Sequence, residues 1–273
     1  MFNIKTKGSP NITYFRKLAI GTWKAPNDST YYGKVEINLT KINDYLVDLN
    51  KKSEHKITIN HVMAKTMGII FDRHPDLNIT LIRNKPKFRK TVSAFIQTHL
   101  RSKKGYDLLG INIEDVQHKS LIDIATEVHK KATELRQQKD IQMEIAKTTI
   151  TLFPLRLMKL AVKLFNFLMY TLNLNLSWLG LPNDRYGSFG ISSIGGLGME
   201  EAYIPLFPFS RCGMMLAIGK PTLKPTVVNK TIQVAETVII TFTMDHRYYD
   251  GAHLAKPFRL LQKIIQNPNK YLN

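Results

Sequence analysis

The run TIQVAETVIITFTMDH, Thr231 to His246, is dense in β-branched and apolar residues and reads as a strand that ends on a histidine. Asp250, Gly251 and a helix-like stretch follow it and close the chain. Such a strand needs partners on its edges and helices over its face, and the remaining sequence supplies both. YYGKVEINL (31–39) alternates and reads as another strand. In LTKINDYLVDLNKK, helical spacing puts Leu39, Ile42, Tyr45, Leu46 and Leu49 on one face. KITINHVMAKTMGIIFDRHPDLN reads as a second helix, with Thr58 as its N-cap and Pro75 as its stop. LNITLI and TVSAFIQTHL read as strands, and KSLIDIATEVHKKATELRQQKD as a long amphipathic helix starting near Ser120. YGSFGISSIGGLG and GMMLAIGKPTLKPTVV add strands joined by Gly/Pro turns. The sum is a mixed α/β chain whose sheet is partly antiparallel.

No Pro/Gly/Ser linker divides the 273 residues, which are expected to form one continuous domain, 1–273. The formal net charge of +18 directs attention to anionic partners such as phosphates, nucleic acid or an acidic membrane surface. A zinc finger, an RNP-like aromatic motif and a glycine-rich arginine tract are all missing, so nucleic acid is not the expected partner. A single cysteine, Cys212, rules out an intramolecular disulfide and favours a reducing, cytoplasmic setting. Its place in an apolar strand reads as a packed thiol. His61, His74 and His253 lack ligand spacing with acidic or cysteine partners, so no metal is expected. The start of the sequence carries no apolar core of signal-peptide length, and no run of eighteen apolar residues marks a membrane span.

Ile150 to Arg185 is the odd segment. Its more polar positions, Arg156, Lys159, Lys163, Asn166, Tyr170 and Asn173, fall on one narrow helical stripe, and nearly everything else is apolar. The expectation is a helix buried on most of its surface, against the same chain or a neighbouring subunit. The sharper alternative is a basic helix at a membrane interface, or one lining a site for an acyl chain.

The terminal motif carries chemistry. A neutral imidazole on His246 can take a proton from a thiol or hydroxyl near neutral pH, best when held in one tautomer at a strand end. Asp250 can orient the following loop by pairing with a cation, and Gly251 can permit a tight turn into the last helix. Alone, a His-x-x-x-Asp-Gly match is a weak signal.

The wider context is more specific. DHRYYDGAHLAKPFRLLQKIIQNP resembles the closing segment of the catalytic domain of dihydrolipoamide acyltransferases, core subunits of 2-oxo acid dehydrogenase complexes, related in fold to chloramphenicol acetyltransferase. RKLAIGTW, at Arg16, resembles that family's opening basic helix. The His-Pro-Asp-Leu-Asn turn (74–78), the helix from Lys119, GSFGISSIGGLGM and PFSRCGMMLAIGK resemble later family segments in the right order.

The resemblance implies a two-layer α/β sandwich, with a mixed sheet packed by helices, that assembles as a homotrimer. It implies an acyl-CoA-dependent acyltransferase, with coenzyme A thioester as substrate and His246 as general base. Ser192 would stabilise the oxyanion, with Ser193 an open neighbour. Asp250 would be mainly structural, paired with Arg16. The site would lie between subunits, His246 of one chain facing Ser192 of the next. Cys212 would not be the nucleophile, since direct attack on the thioester needs no covalent acyl-enzyme.

Three departures from the family pattern stand out. A lipoyl domain and a partner-binding domain are not recognised, so no covalently attached lipoyl group is expected in this chain. The stretch from Thr91 to Val116 lacks the family's Gly-Leu-x-Val-Pro-Val pattern. The apolar insertion at about 150–185 is larger than the usual connection and suggests another, hydrophobic acceptor or peripheral membrane contact. A non-catalytic trimeric assembly relative is the competing reading. The basic runs RNKPKFRK (83–90) and RSKK (101–104) read as solvated loops or as contacts to coenzyme phosphates.

Overall fold

The computed structural model describes residues 28–83, 85–102, 105–137, 154–176, 184–206, 210–228 and 230–273. Among them, nine strands, β1 (Thr30–Asn38), β2 (Ile79–Ile82), β3 (Lys85–Phe88), β4 (Ser93–Ser102), β5 (Gly105–Glu114), β6 (Phe189–Ser193), β7 (Met214–Ile218), β8 (Thr222–Val228) and β9 (Thr231–Asp245), alternate with six helices. The helices are α1 (Thr40–Lys52), α2 (Ile59–Arg73), α3 (Leu121–Arg136), α4 (Leu155–Asn166), α5 (Gly251–Gln266) and α6 (Pro268–Tyr271).

Seven strands form the main sheet in the order β1-β9-β7-β6-β4-β5, with β8 also on β9, while β2 and β3 form a separate hairpin. The β4–β6 and β6–β7 pairs are parallel and the others antiparallel, as a mixed sheet requires. With the helices it makes a two-layer α/β sandwich.

α2 is the central helix. Every residue from Val62 to Phe71 is buried, so it has no solvent face, and its Phe71 ring lies 5.0 Å from that of Phe189 on β6. Thr58 caps it as expected, and the His61 Nδ1 at the third position accepts the Thr58 N–H at 3.0 Å. Pro75 opens a 3-10 turn just past its end. Gly68 lets α2 pass close to the turn before α3: a Cβ there would lie 2.7 Å from Val116 Cγ1. Lys65 secures the same approach, its ammonium donating to the Gln117 and Lys119 carbonyls at 2.7 Å each. At the start of α3, the Ser120 hydroxyl accepts the Asp123 N–H at 3.1 Å while Asp123 bonds back to the Ser120 N–H.

β9 is the longest strand, 15 residues. Its second half lies between β1 and β7, with Thr237 to Asp245 facing Asn38 to Thr30 and Ile240 to Met244 facing Ile218 to Met214. Its first half pairs with β8 as a two-stranded ribbon. One face of that ribbon carries Leu223, Val227, Ile232 and Val234, each 70–78% exposed. A two-stranded ribbon is marginal in water by itself, and a bare apolar face is a contact surface in waiting.

The apolar segment meets the body of the protein through part of its polar stripe. Residues 150–153 and 177–183 lie outside the described residues, as does the Lys159 side chain. From the polar stripe, Asn166 and Tyr170 turn towards the body of the protein. Asn166 Oδ1 accepts from Arg211 at 3.2 Å, the Tyr170 hydroxyl donates to the Ser210 carbonyl at 3.4 Å, and the Arg211 guanidinium sits over the Tyr170 ring. Leu157, Leu160 and Leu164 are exposed instead. Among the described residues of one chain, then, α4 is not covered on most of its surface. Arg211 and Ser210 offer hydrogen-bond partners to Asn166 and Tyr170, while Arg156 and Lys163 of the same stripe stay exposed.

Candidate active site

β9 delivers His246 to the rim of the sheet. The His246 N–H donates to the Ser29 carbonyl at 2.8 Å, so its backbone is pinned just beyond the start of β1. The imidazole is exposed, and its ring centroid lies 5.1 Å from that of Tyr31. The Tyr31 hydroxyl is buried without a hydrogen-bond partner among the described residues, and burial, with the nearby Asp250 charge, pushes its pKa up to about 12. Tyr31 therefore meets His246 as a neutral ring wall.

Asp245 immediately precedes His246 at the end of β9. Its carboxylate is buried, 5% exposed, and accepts from the Ser29 hydroxyl at 2.8 Å and from the Arg247 backbone N–H at 2.9 Å. The Arg247 guanidinium closes on it from outside. His246 thus stands between two residues locked to each other. Neither Asp245, Arg247 nor Tyr31 was singled out from sequence. The tripeptide Asp-His-Arg was the available signal for two of them, whereas Tyr31 is 215 residues distant and reaches the site only through the β1–β9 register.

Asp250 is the N-cap of α5. Its Oδ1 accepts the His253 backbone N–H at 2.9 Å and lies 2.8 Å from His253 Nδ1, and these bonds hold its pKa below the usual carboxylate range. It orients the helix that follows the histidine. Arg16, its expected partner, lies outside the described residues. Gly251 opens α5 without a left-handed backbone, and a Cβ there would meet no atom within 4 Å. The turn itself does not require a glycine, contrary to the reason the sequence suggested.

Ser192 lies on β6 and is 5% exposed, and its hydroxyl makes no hydrogen bond among the described residues. Ser193 follows it, half-buried, before the 3-10 turn Gly195–Leu197. In the sheet, Ser192 pairs with Ala217 and Ala217 with Thr241. Thr241 precedes His246 by five residues, so the two candidates stand two strands apart and about 16 Å apart along β9. One chain does not bring them together.

Cys212 is buried, and burial pushes its thiol up to about 11, which leaves it protonated and inert at neutral pH. His61 is held down to about 4 by burial and serves its helix cap. His74 ends α2 and His253 bonds Asp250. Among the described residues, no three His, Cys, Asp or Glu side chains are grouped to hold a metal ion. Of the basic run 83–90, Lys85, Lys87 and Lys90 are exposed, but Arg89 turns inwards to pair with Asp184 and to donate to the Arg211 carbonyl. Lys103 and Lys104 lie outside the described residues.

The sequence profile of 2-oxoacid dehydrogenases acyltransferase (catalytic domain) matches residues 24–155 and 182–273, leaving only the middle of the apolar segment and the first residues unmatched. The acetyltransferase component of the pyruvate dehydrogenase complex of Rickettsia prowazekii is 20% identical over 242 residues, 87% of this chain and 48% of that protein. Its counterpart from Acholeplasma laidlawii is 28% identical over 94 residues, 34% of this chain and 17% of that protein. The chain thus spans about half or less of the length of these two relatives. Among solved structures, the Azotobacter vinelandii dihydrolipoamide acetyltransferase superposes with a TM-score of 0.64 at 18% identity, over 90% of this chain and 85% of that one. Its mechanism was studied through a serine, a histidine and an asparagine four residues past that histidine.

Proposed function

Because the chain belongs to the family of 2-oxoacid dehydrogenase acyltransferase catalytic domains, we propose that it moves an acyl group from a coenzyme A thioester to a thiol, hydroxyl or amine acceptor. His246 takes the acceptor's proton as its sulfur, oxygen or nitrogen attacks the thioester carbonyl. The tetrahedral oxyanion is met by the Ser192 hydroxyl, which has no competing hydrogen-bond partner among the described residues. When the intermediate collapses, the carbon–sulfur bond breaks and the leaving thiolate takes the proton back from the imidazolium. Asp245, Arg247 and Tyr31 fix the base, and Asp250 fixes the helix behind it.

The observation that carries this reading is the separation of Ser192 and His246 within one chain. Two copies are needed to complete one site, with His246 of one protomer facing Ser192 of its neighbour, and a closed ring of three gives three such sites. The apolar β8–β9 ribbon supports the assembly, because a face this exposed calls for a second copy to cover it. The open space at Gly251 supports it too: the absent side chain leaves room for a neighbour or a substrate against the start of α5.

The experiment is a coenzyme A release assay with a panel of acyl-CoA thioesters and dihydrolipoamide, alcohols and amines as acceptors. His246→Ala and Ser192→Ala proteins should each lose at least about a hundredfold in activity. Mixed by co-expression, they should regain about a quarter of wild-type activity, since one pairing in four combines an intact histidine with an intact serine. No regain from a mixed, fully assembled protein would overturn the shared site. No release by the wild type across the panel would overturn the activity.

A further inference from the structure

The outward face of α4 is independent of the acyl-transfer chemistry. Leu157, Leu160, Leu164 and Phe167 are spaced three, four and three residues apart, one stripe of a helix, and are 49%, 66%, 53% and 49% exposed. Core-facing apolar stripes are covered, whereas this one faces away from the side that docks through Asn166 and Tyr170. Arg156 and Lys163 are exposed and lie on the flank of the stripe, about 20–40° around the helix from its edge. A second basic and aromatic element joins the same segment. The Arg83 N–H and Nε donate to the Tyr170 and Thr171 carbonyls at 3.4 and 3.1 Å, tying the β2–β3 hairpin to the turn after α4. That hairpin exposes Lys85 and Lys87 and leaves the Phe88 side chain 72% exposed.

We infer that α4, with the β2–β3 hairpin beside it, is a docking surface for an anionic membrane. The leucines and Phe167 enter the boundary between headgroups and acyl chains. Arg156 and Lys163 reach along their own stems to the lipid phosphates, and Lys85 and Lys87 add charge at the surface. The chain's net charge of +18 is of the sign that draws it to such a surface. The helix lies on the membrane and does not cross it: it is 12 residues long, and no described helix is long and apolar enough to span. A second copy would be a poorer cover, because it would have to place acidic groups against Arg156 and Lys163 in a chain with 39 basic and 21 acidic residues.

Vesicle flotation of the full chain tests this. The protein should float with phosphatidylcholine vesicles containing about one-third phosphatidylserine and remain behind with pure phosphatidylcholine. Leu160→Glu with Leu164→Glu should cut binding at least about tenfold while leaving the mass of the assembly unchanged. Arg156→Glu with Lys163→Glu should weaken binding through charge alone. Absence of wild-type flotation would overturn the inference, as would equal flotation of the glutamate variant, which would mean diffuse charge attraction only. A change of assembly mass in the Leu160/Leu164 variant would also overturn it, by assigning the face to a contact between copies.

Discussion

Arg247 folds back onto Asp245: its Nε lies 3.0 Å from both carboxylate oxygens and its Nη2 2.5 Å from Oδ2. The two residues flank His246, so the histidine is the middle of a closed clasp. Ser29 completes it from the start of β1 through its hydroxyl to Asp245 and its carbonyl to the His246 N–H.

The clasp has a pH signature. Burial alone would raise the Asp245 pKa, but the hydrogen bonds from Arg247 and Ser29 outweigh it and hold the carboxyl below its ordinary value of 3.8. A depressed folded-state pKa stabilises the fold above the unfolded value and stops doing so as pH falls through the folded one. Asp245→Asn should therefore lower the unfolding free energy by on the order of 1–3 kcal/mol at neutral pH. The difference from wild type, followed by denaturant titration, should hold down to the ordinary carboxylate range and shrink below it. A difference independent of pH down to strong acid would reject the role.

Tyr31 acts through its ring. Its buried hydroxyl has no partner to lose among the described residues, so Tyr31→Phe should leave stability and kcat within about twofold of wild type. Tyr31→Ala frees the imidazole and should lower kcat by roughly tenfold with KM little changed. The same steady-state assay separates the two variants.

The two adjacent serines make different predictions. Ser192→Ala should reduce kcat by ~10²–10³ without a matching rise in KM, because an oxyanion donor acts as charge develops. Ser193→Ala should remain within about threefold. A reversed result would transfer the role to Ser193.

Asp250 is a cap before it is anything else. Asp250→Asn preserves an acceptor for the His253 N–H and should lower the melting temperature only slightly, whereas Asp250→Ala removes the cap and should lower it more. Thermal unfolding of both proteins measures the gap. Equal losses would point to a partner that needs the negative charge.

Legibility from sequence followed the range of the interactions. Thr58, Pro75 and Ser120 marked helix ends correctly because a cap is decided within a few residues. β3 was hidden in the basic run 83–90, since Lys85 to Phe88 are all exposed and give no alternation. β5 carries Gly110 where a side chain would collide with the Phe95 ring across the β4 pairing, a strand glycine whose reason exists only in the folded sheet. The α4 stripe was visible as a pattern, but periodicity does not say which side meets the protein; Arg211 and Ser210, far along the chain, decided that. At the site, His246 and Ser192 stood out by motif. Their separation follows from strand order and register, which a motif does not contain.

β9 is also a ruler. Its 15 residues span about 50 Å at ~3.3 Å each, from the tip of the ribbon to the foot of His246. A domain of this size has a radius of gyration near 18 Å, so one strand runs from rim to rim of the protomer. Contacts gripping the ribbon tip are thereby kept clear of the rim where the base stands, and crowding at one end need not narrow the other. Shortening β9 by two residues would keep every side chain on its own face, yet draw the two rims about 7 Å closer together.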